Sequence, residues 1–219
     1  MAVLALAGFI RAQQVVRRPM LPLDLFRSRT VVITLASGFA FMVGYYGLPF
    51  VISLFLQGHR GLTALQTGVV FLPMMLIGLV LMPWSARLGE RLGRKTLIVA
   101  GLILMAAGLA LIGVLSASAP LWLLAGLMVL AGLGGPTVSP PSTAVLLDAV
   151  PHEQAGVASG VFNTSRQVGG ALAVAVFGGL LAHPGTFVRG VHTSLLIAAA
   201  VLALTTVLAI FLPATKEHS

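Results

Sequence analysis

Six stretches of predominantly apolar residues follow one another along the chain, separated by short connectors. They run approximately Thr30–Leu56, Thr67–Trp84, Thr96–Leu115, Leu121–Pro141, Gly156–Leu181 and Thr193–Leu212. A helix needs about 20 such residues to cross a hydrocarbon core of ~30 Å. The pattern therefore predicts an all-α integral membrane fold with six spans over residues 30–212. Each connector carries a breaker or polar residue: Gly58 and Gly61, Gly89 and Gly93, Pro120, Pro151, then Pro184 and Gly185.

Composition agrees, with 58% hydrophobic and 8% charged residues. A soluble domain carries roughly 25% charged residues, so this chain lacks the polar surface to cover a globule in water. Its partner is the lipid bilayer. A net charge of +8 raises the question of nucleic acid. The basic residues, however, lie in short connectors between apolar runs, and no nucleic-acid partner is expected. Cysteine is absent, which excludes disulfides, zinc clusters and thiol chemistry. No HExxH, Walker A or GxSxG sequence occurs, and five acidic residues leave little material for acid–base catalysis. Neither an enzyme, a metal site nor an organic cofactor is expected. The histidines, His59, His152, His183, His192 and His218, lie in connectors or near span ends, and none is assigned a site.

Lysine and arginine orient the spans. Arg11, Arg17, Arg18, Arg27 and Arg29 precede the first, Arg87, Arg91, Arg94 and Lys95 separate the second from the third, and Lys216 follows the sixth. The opposite side holds only Arg60 and Arg189. Both termini are expected in the cytoplasm, with the chain multi-pass in the cytoplasmic (inner) membrane. Residues 1–29 open with "MAVLALAGFI", too short to span and with no basic region before it, so unlike a signal peptide. It reads as the end of a preceding helix, or alternatively as an interfacial helix. A cytoplasmic linker follows, in which Pro19 and Pro22 block a continuous helix. Residues 213–219 form a cytoplasmic tail. The chain reads as the back part of something larger.

Polar residues inside the spans mark the candidate chemistry. Arg166 lies about nine residues, or ~13 Å, into the fifth span. A guanidinium there costs at least ~2.5–3.5 kcal/mol on insertion scales. Ser159, Asn163, Arg166, Gln167 and Gly170 share an arc of roughly 100°, and Gly156 and Gly160 extend it as a small-xxx-small pair. Two readings stand: Arg166 anchors helix packing, or it faces a central cavity. The acidic residues Asp148, Glu153 and Glu90 all sit at the cytoplasmic edge, so a counter-charge is not expected from the spans themselves. In the first span Tyr45 and Tyr46 lie among Gly44, Gly47 and Pro49, which predict a helix break. They read as cavity residues or as an interfacial aromatic belt. In the fourth, Gly132, Gly134, Gly135 and Pro136 precede Pro140 and Pro141, predicting a kink used for packing or as a hinge. Thr137, Ser139, Ser142 and Thr143 are candidates to satisfy the backbone groups that proline frees.

Two stretches carry a family resemblance. "ARLGERLGRKTLIVAGL" resembles the Gly-x-Leu-x-Asp-Arg-x-Gly-Arg-Arg/Lys loop signature of the major facilitator superfamily, in its second-half copy. Glu90 takes the acidic place, followed by Arg91, Gly93, Arg94 and Lys95, while Ala86 replaces the first glycine. "DAVPHEQAGVASGVFNTSRQVGGALAVAVFG" is similar to the eleventh helix of 14-span drug:proton antiporters of the EmrB/QacA type, as are "LPLDLFRSRT" and "AGLGGPTVSPPSTA". The similarity runs from Pro19 onward.

The resemblance implies a C-terminal bundle of six helices, built as two inverted three-helix repeats. Its third and sixth helices would be outer, lipid-facing scaffold. It also implies proton-gradient-driven export of amphipathic small molecules, with an N-terminal bundle supplied in cis or in trans. In the loop signature it adds charge-pairing that locks one access state, beyond positive-inside anchoring, with Asp148 as partner or as a helix cap. Three hypotheses remain open: part of a 14-span exporter, a half-transporter needing a partner chain, and a non-transport accessory protein or remnant.

Overall fold

A computed structural model of the chain describes residues 23–213. The expected preceding helix, most of the linker and the tail beyond Pro213 lie outside the described residues. Helix α1 spans Arg29–Leu54; Ser28 caps it by accepting from the Val31 amide, and a π-helical turn, Phe55–His59, continues it. Helix α2 spans Ala64–Leu81 and opens on a capping box in which Thr63 and Gln66 satisfy each other's backbone amides. A 3₁₀ turn, Met82–Trp84, leads into the short α3, Ser85–Leu92. Then follow α4 at Arg94–Val114, α5 at Leu121–Gly132, α6 at Gly134–Asp148, α7 at Ala155–Leu181 and α8 at Phe187–Ala209.

Several boundaries differ from the sequence expectation. The connector between the second and third spans is itself helical up to Leu92, and only Gly93 breaks the path, at φ 83°. That left-handed backbone suits glycine alone at little cost. The first span does not break at Tyr45–Pro49; α1 runs through Pro49. Its glycines serve packing instead: side chains at Gly44 and Gly47 would collide with Met105 and Phe177. In the fourth span the interruption falls at Leu133, and helix then continues through Pro140 and Pro141 to Asp148. The last span starts earlier, so Arg189 lies in the first turn of α8.

Five helical stretches are long and apolar enough to cross a membrane: Arg29–His59, Ala64–Leu92, Arg94–Val114, Leu121–Asp148 and Pro184–Ala209. Helix α7 is not among them, although its 27 residues would reach ~40 Å at 1.5 Å per residue. Its polar residues lower its hydropathy. It joins the bundle by packing, most extensively of all against α1.

Contacts repeat. Helix α1 packs on α7 and α8, α4 on α8, α5 and α6, and α2 on α5. Exchanging the first three spans with the last three turns α1–α7 into α5–α2 and α1–α8 into the α5/α6 contact with α4, and leaves α4–α8 unchanged. Two three-helix repeats therefore make one bundle. Its core is a contiguous cluster that includes Leu48, Ile52, Leu102, Met105, Leu109, Met128, Leu195 and Leu202, all fully buried. A smaller cluster, with Leu35, Leu146 and Phe162, closes the other end of the α1–α6–α7 seam. Helices in lipid gain little from hydrophobic burial, so close van der Waals packing holds these together. The third span is not simply an outer helix here: over half of α4 is buried, against 17% of α2.

Arg60, after the π turn, donates to the Ala117 and Ala119 carbonyls at 2.5 and 3.0 Å. It ties the first connector to the third at the end of the bundle away from α3.

Candidate functional site

The α1–α7 seam assembles the site. Gly169 lets the two backbones touch, since a methyl group there would run into the backbone of Phe39. Gly38 likewise leaves room for the Phe162 ring and the Arg166 side chain. Ser165 crosses the seam and donates to the Leu35 carbonyl at 3.0 Å. The Arg166 guanidinium carbon sits 5.7 Å from the Phe162 ring centroid, within cation–π range. Its Nε is buried and has no hydrogen-bond partner. Neither of the ion pairs among the described residues involves it.

Arg166 lies near the middle of α7, and so does Gly170, on which the Tyr46 ring packs. Tyr45 and Tyr46 are themselves close to the midpoint of the helical run Arg29–His59. An aromatic belt belongs at helix ends, so mid-depth placement sets that reading aside. Tyr45 stacks on Phe41 at 5.1 Å, meets Tyr46 edge-on at 6.2 Å, and lies over Gly135 of α6. Tyr45, Tyr46, Asn163 and Gln167 are exposed, so no helix among the described residues covers the face they form. Gly156 and Gly160, expected to pack, have open space where a side chain would be. They keep that face low rather than joining helices.

A second assembly sits at the α3 end. Arg94, the first residue of α4, forms an ion pair with Asp148, the last residue of α6. A residue in that position is no N-cap, so the capping role for Asp148 falls away. Glu90 and Arg91 project from α3 exposed, and no ion pair among the described residues includes Glu90. Lys95 is half-buried beside Arg94 in sequence. Arg87 lies 5.3 Å over the Trp84 ring.

Sequence reasoning missed Ser85. Pro140 has no amide hydrogen, so the carbonyl four residues earlier, Pro136, loses its helical partner. Thr137, Ser139, Ser142 and Thr143 do not repair it: Thr137 and Thr143 bond the Leu133 and Ser139 carbonyls, and the Ser142 hydroxyl is buried without a partner. The buried Ser85 hydroxyl donates to Pro136 from α3, at 2.5 Å. The proline tells which carbonyl is orphaned; which distant donor reaches it is a matter of packing. Gly132 and Gly134 are packing residues, against Met74 of α2 and Met105 of α4. Among the described residues no cluster of His, Cys, Asp or Glu is placed to hold a metal ion.

A model of the Major Facilitator Superfamily matches residues 34–219. The methylenomycin A resistance protein of Streptomyces coelicolor is 33% identical over 195 residues, covering 89% of this chain and 41% of that protein. The tetracenomycin C resistance and export protein of Streptomyces glaucescens is 35% identical over 185 residues, 83% of this chain and 34% of the relative. The multidrug resistance protein Stp of Mycobacterium tuberculosis is 32% identical over 181 residues, again 83% and 34%. The chain thus spans between a third and two fifths of the length of these relatives.

Proposed function

The chain belongs to the Major Facilitator Superfamily, and from that premise we propose that it is the C-terminal half of a proton-driven exporter of amphipathic small molecules. It works by alternating access, rocking against an N-terminal bundle supplied in cis or in trans, around a site near the membrane midplane. The observation that carries this reading is the uncovered face of Asn163, Arg166 and Gln167 with Tyr45 and Tyr46 at mid-depth. A polar face of that kind suits a water-filled cavity and not lipid. Relatives named for antibiotic and multidrug resistance support the same role, as does their length, which leaves room for a second bundle.

The positive-inside pattern supports an inner-membrane protein with both ends and α3 in the cytoplasm. The Arg94–Asp148 pair joins α4 to α6 there, and it serves as a latch on one access state. No carboxylate lies deep in the spans, so proton carriage is assigned to the other bundle, and the chain alone is inactive. A 14-span parent remains part of the proposal.

Dye uptake into inverted vesicles, whose lumen corresponds to the cell exterior, tests it. With an N-terminal bundle present, uptake should appear and should collapse with the proton gradient. No uptake with both halves inserted would overturn the transport reading, and uptake by this chain alone would overturn the division of labour.

A further inference from the structure

Arg166 is a fixed positive charge in search of a negative one. Every acidic residue of the chain, Asp24, Glu90, Asp148, Glu153 and Glu217, lies before, between or after the spans and none near the middle of a helix. Around the guanidinium stand neutral groups: the Phe162 ring on one side, and Asn163 and Gln167 along the same stripe of α7. Its Nε is desolvated and unpaired. A partly buried guanidinium attracts an anion, and its planar fork matches the two or three oxygens of a carboxylate or sulfonate. The stem of the side chain lies over Gly38, and the guanidinium sits beside the exposed Asn163 and Gln167 near the middle of α7.

Beside it the ligand would find an aromatic wall. Tyr46 packs on Gly170, one turn along α7 from Arg166, and Tyr45 and Phe41 extend the wall towards α6. We infer that this site selects aromatic amphiphiles carrying an anionic head, with the head on Arg166 and the ring on Tyr45 and Tyr46. This rests on the transport reading above and narrows its cargo. It stands against a preference for cations, and against a role of Arg166 confined to pairing with a carboxylate of the other bundle.

Equilibrium dialysis of the 219-residue chain in phosphatidylcholine nanodiscs tests the inference with three ligands of one shape: 2-naphthalenesulfonate, neutral 2-naphthyl methyl sulfone and 2-naphthyltrimethylammonium. The sulfonate should bind about tenfold tighter than the ammonium. Arg166→Gln should abolish that ratio while sparing the sulfone, and Arg166→Lys should keep part of it. Repeating the series in phosphatidylglycerol should leave the ratio within about twofold, since a headgroup does not reach mid-depth; loss of the ratio there would assign the anion site to lipid. Equal binding of the three ligands, tighter ammonium binding, or no binding overturns the inference from the unmodified chain alone, whatever the variants do. Cellular efflux of the same series with both bundles separates the two proposals. Export without anion preference removes only this one, and retention of all three compounds removes the transport reading.

Discussion

Two helix pairs hold this bundle together, and they differ in kind. Between α4 and α8 the contact is apolar: Leu102, Met105, Leu109, Leu195 and Leu202 interlock, and Gly113 leaves room for Leu196. The hydroxyls of Thr205 and Thr206 turn back on their own helix, to the Val201 and Leu202 carbonyls at 2.8 Å each. Between α1 and α7 the approach is closer still, through Gly169 and Gly38, yet the seam also carries Ser165, Arg166 and an uncovered polar face. The first pair acts as an internal control. It packs densely with charge only in its end turns, at Arg94, Lys95 and Arg189, and none at the helix middle.

The comparison breaks or sharpens most at Arg166. Arg166→Leu should cut export by the paired transporter about 100-fold, equivalent to ~2.7 kcal/mol. Thermal stability should hold or rise, because a partly buried, unpaired charge has been replaced by an apolar group. A fall in melting temperature of the purified chain would make Arg166 a packing anchor and erase the contrast between the seams.

On the other pair the signs reverse. Leu102→Ala should destabilise the chain by about 2–5 kcal/mol, lowering yield and melting temperature, while surviving protein keeps its substrate range. A changed substrate range would mean that α4 shapes the site directly.

Ser85 gives a smaller, local effect. Ser85→Ala leaves the Pro136 carbonyl buried and unpaired, which should cost about 1–3 kcal/mol in denaturation of the purified chain. Ser85→Thr should recover most of it. Equal stability of all three would show that the bond contributes nothing.

Smallest in stability is Arg94→Ala. The pair is partly exposed, 33% for Arg94 and 62% for Asp148, so its loss should cost under about 1 kcal/mol. Export should nevertheless slow, with membrane insertion unchanged. Unaltered turnover would reject the latch.

Much of this was legible in one dimension. Apolar runs of membrane length located the helical segments, though not where α5 and α6 part, and Gly93 with its neighbours marked the signature turn. A lone arginine within a span pointed to the face that matters. Legibility failed wherever the answer depended on a neighbour. Gly44 and Gly47 look like helix breakers in a string, but here they receive Met105 and Phe177 and the helix runs on. Gly156 and Gly160 look like a packing motif, yet nothing packs on them. The tyrosines read as belt or as cavity residues in the string, and the fold adds that Tyr46 packs on Gly170 near the middle of α7.

By itself the sequence determined the solvent of this protein, its all-helical class, and which helix is too polar to be apolar throughout, because hydropathy and charge are properties each residue carries wherever it lies. Only the tertiary structure decided which glycines are seams, which hydroxyl satisfies the carbonyl Pro140 orphans, and that Arg166 finds no ion-pair partner among the described residues. Those are relations between residues 35 and 165, or 85 and 136, and no local pattern encodes who will stand opposite whom.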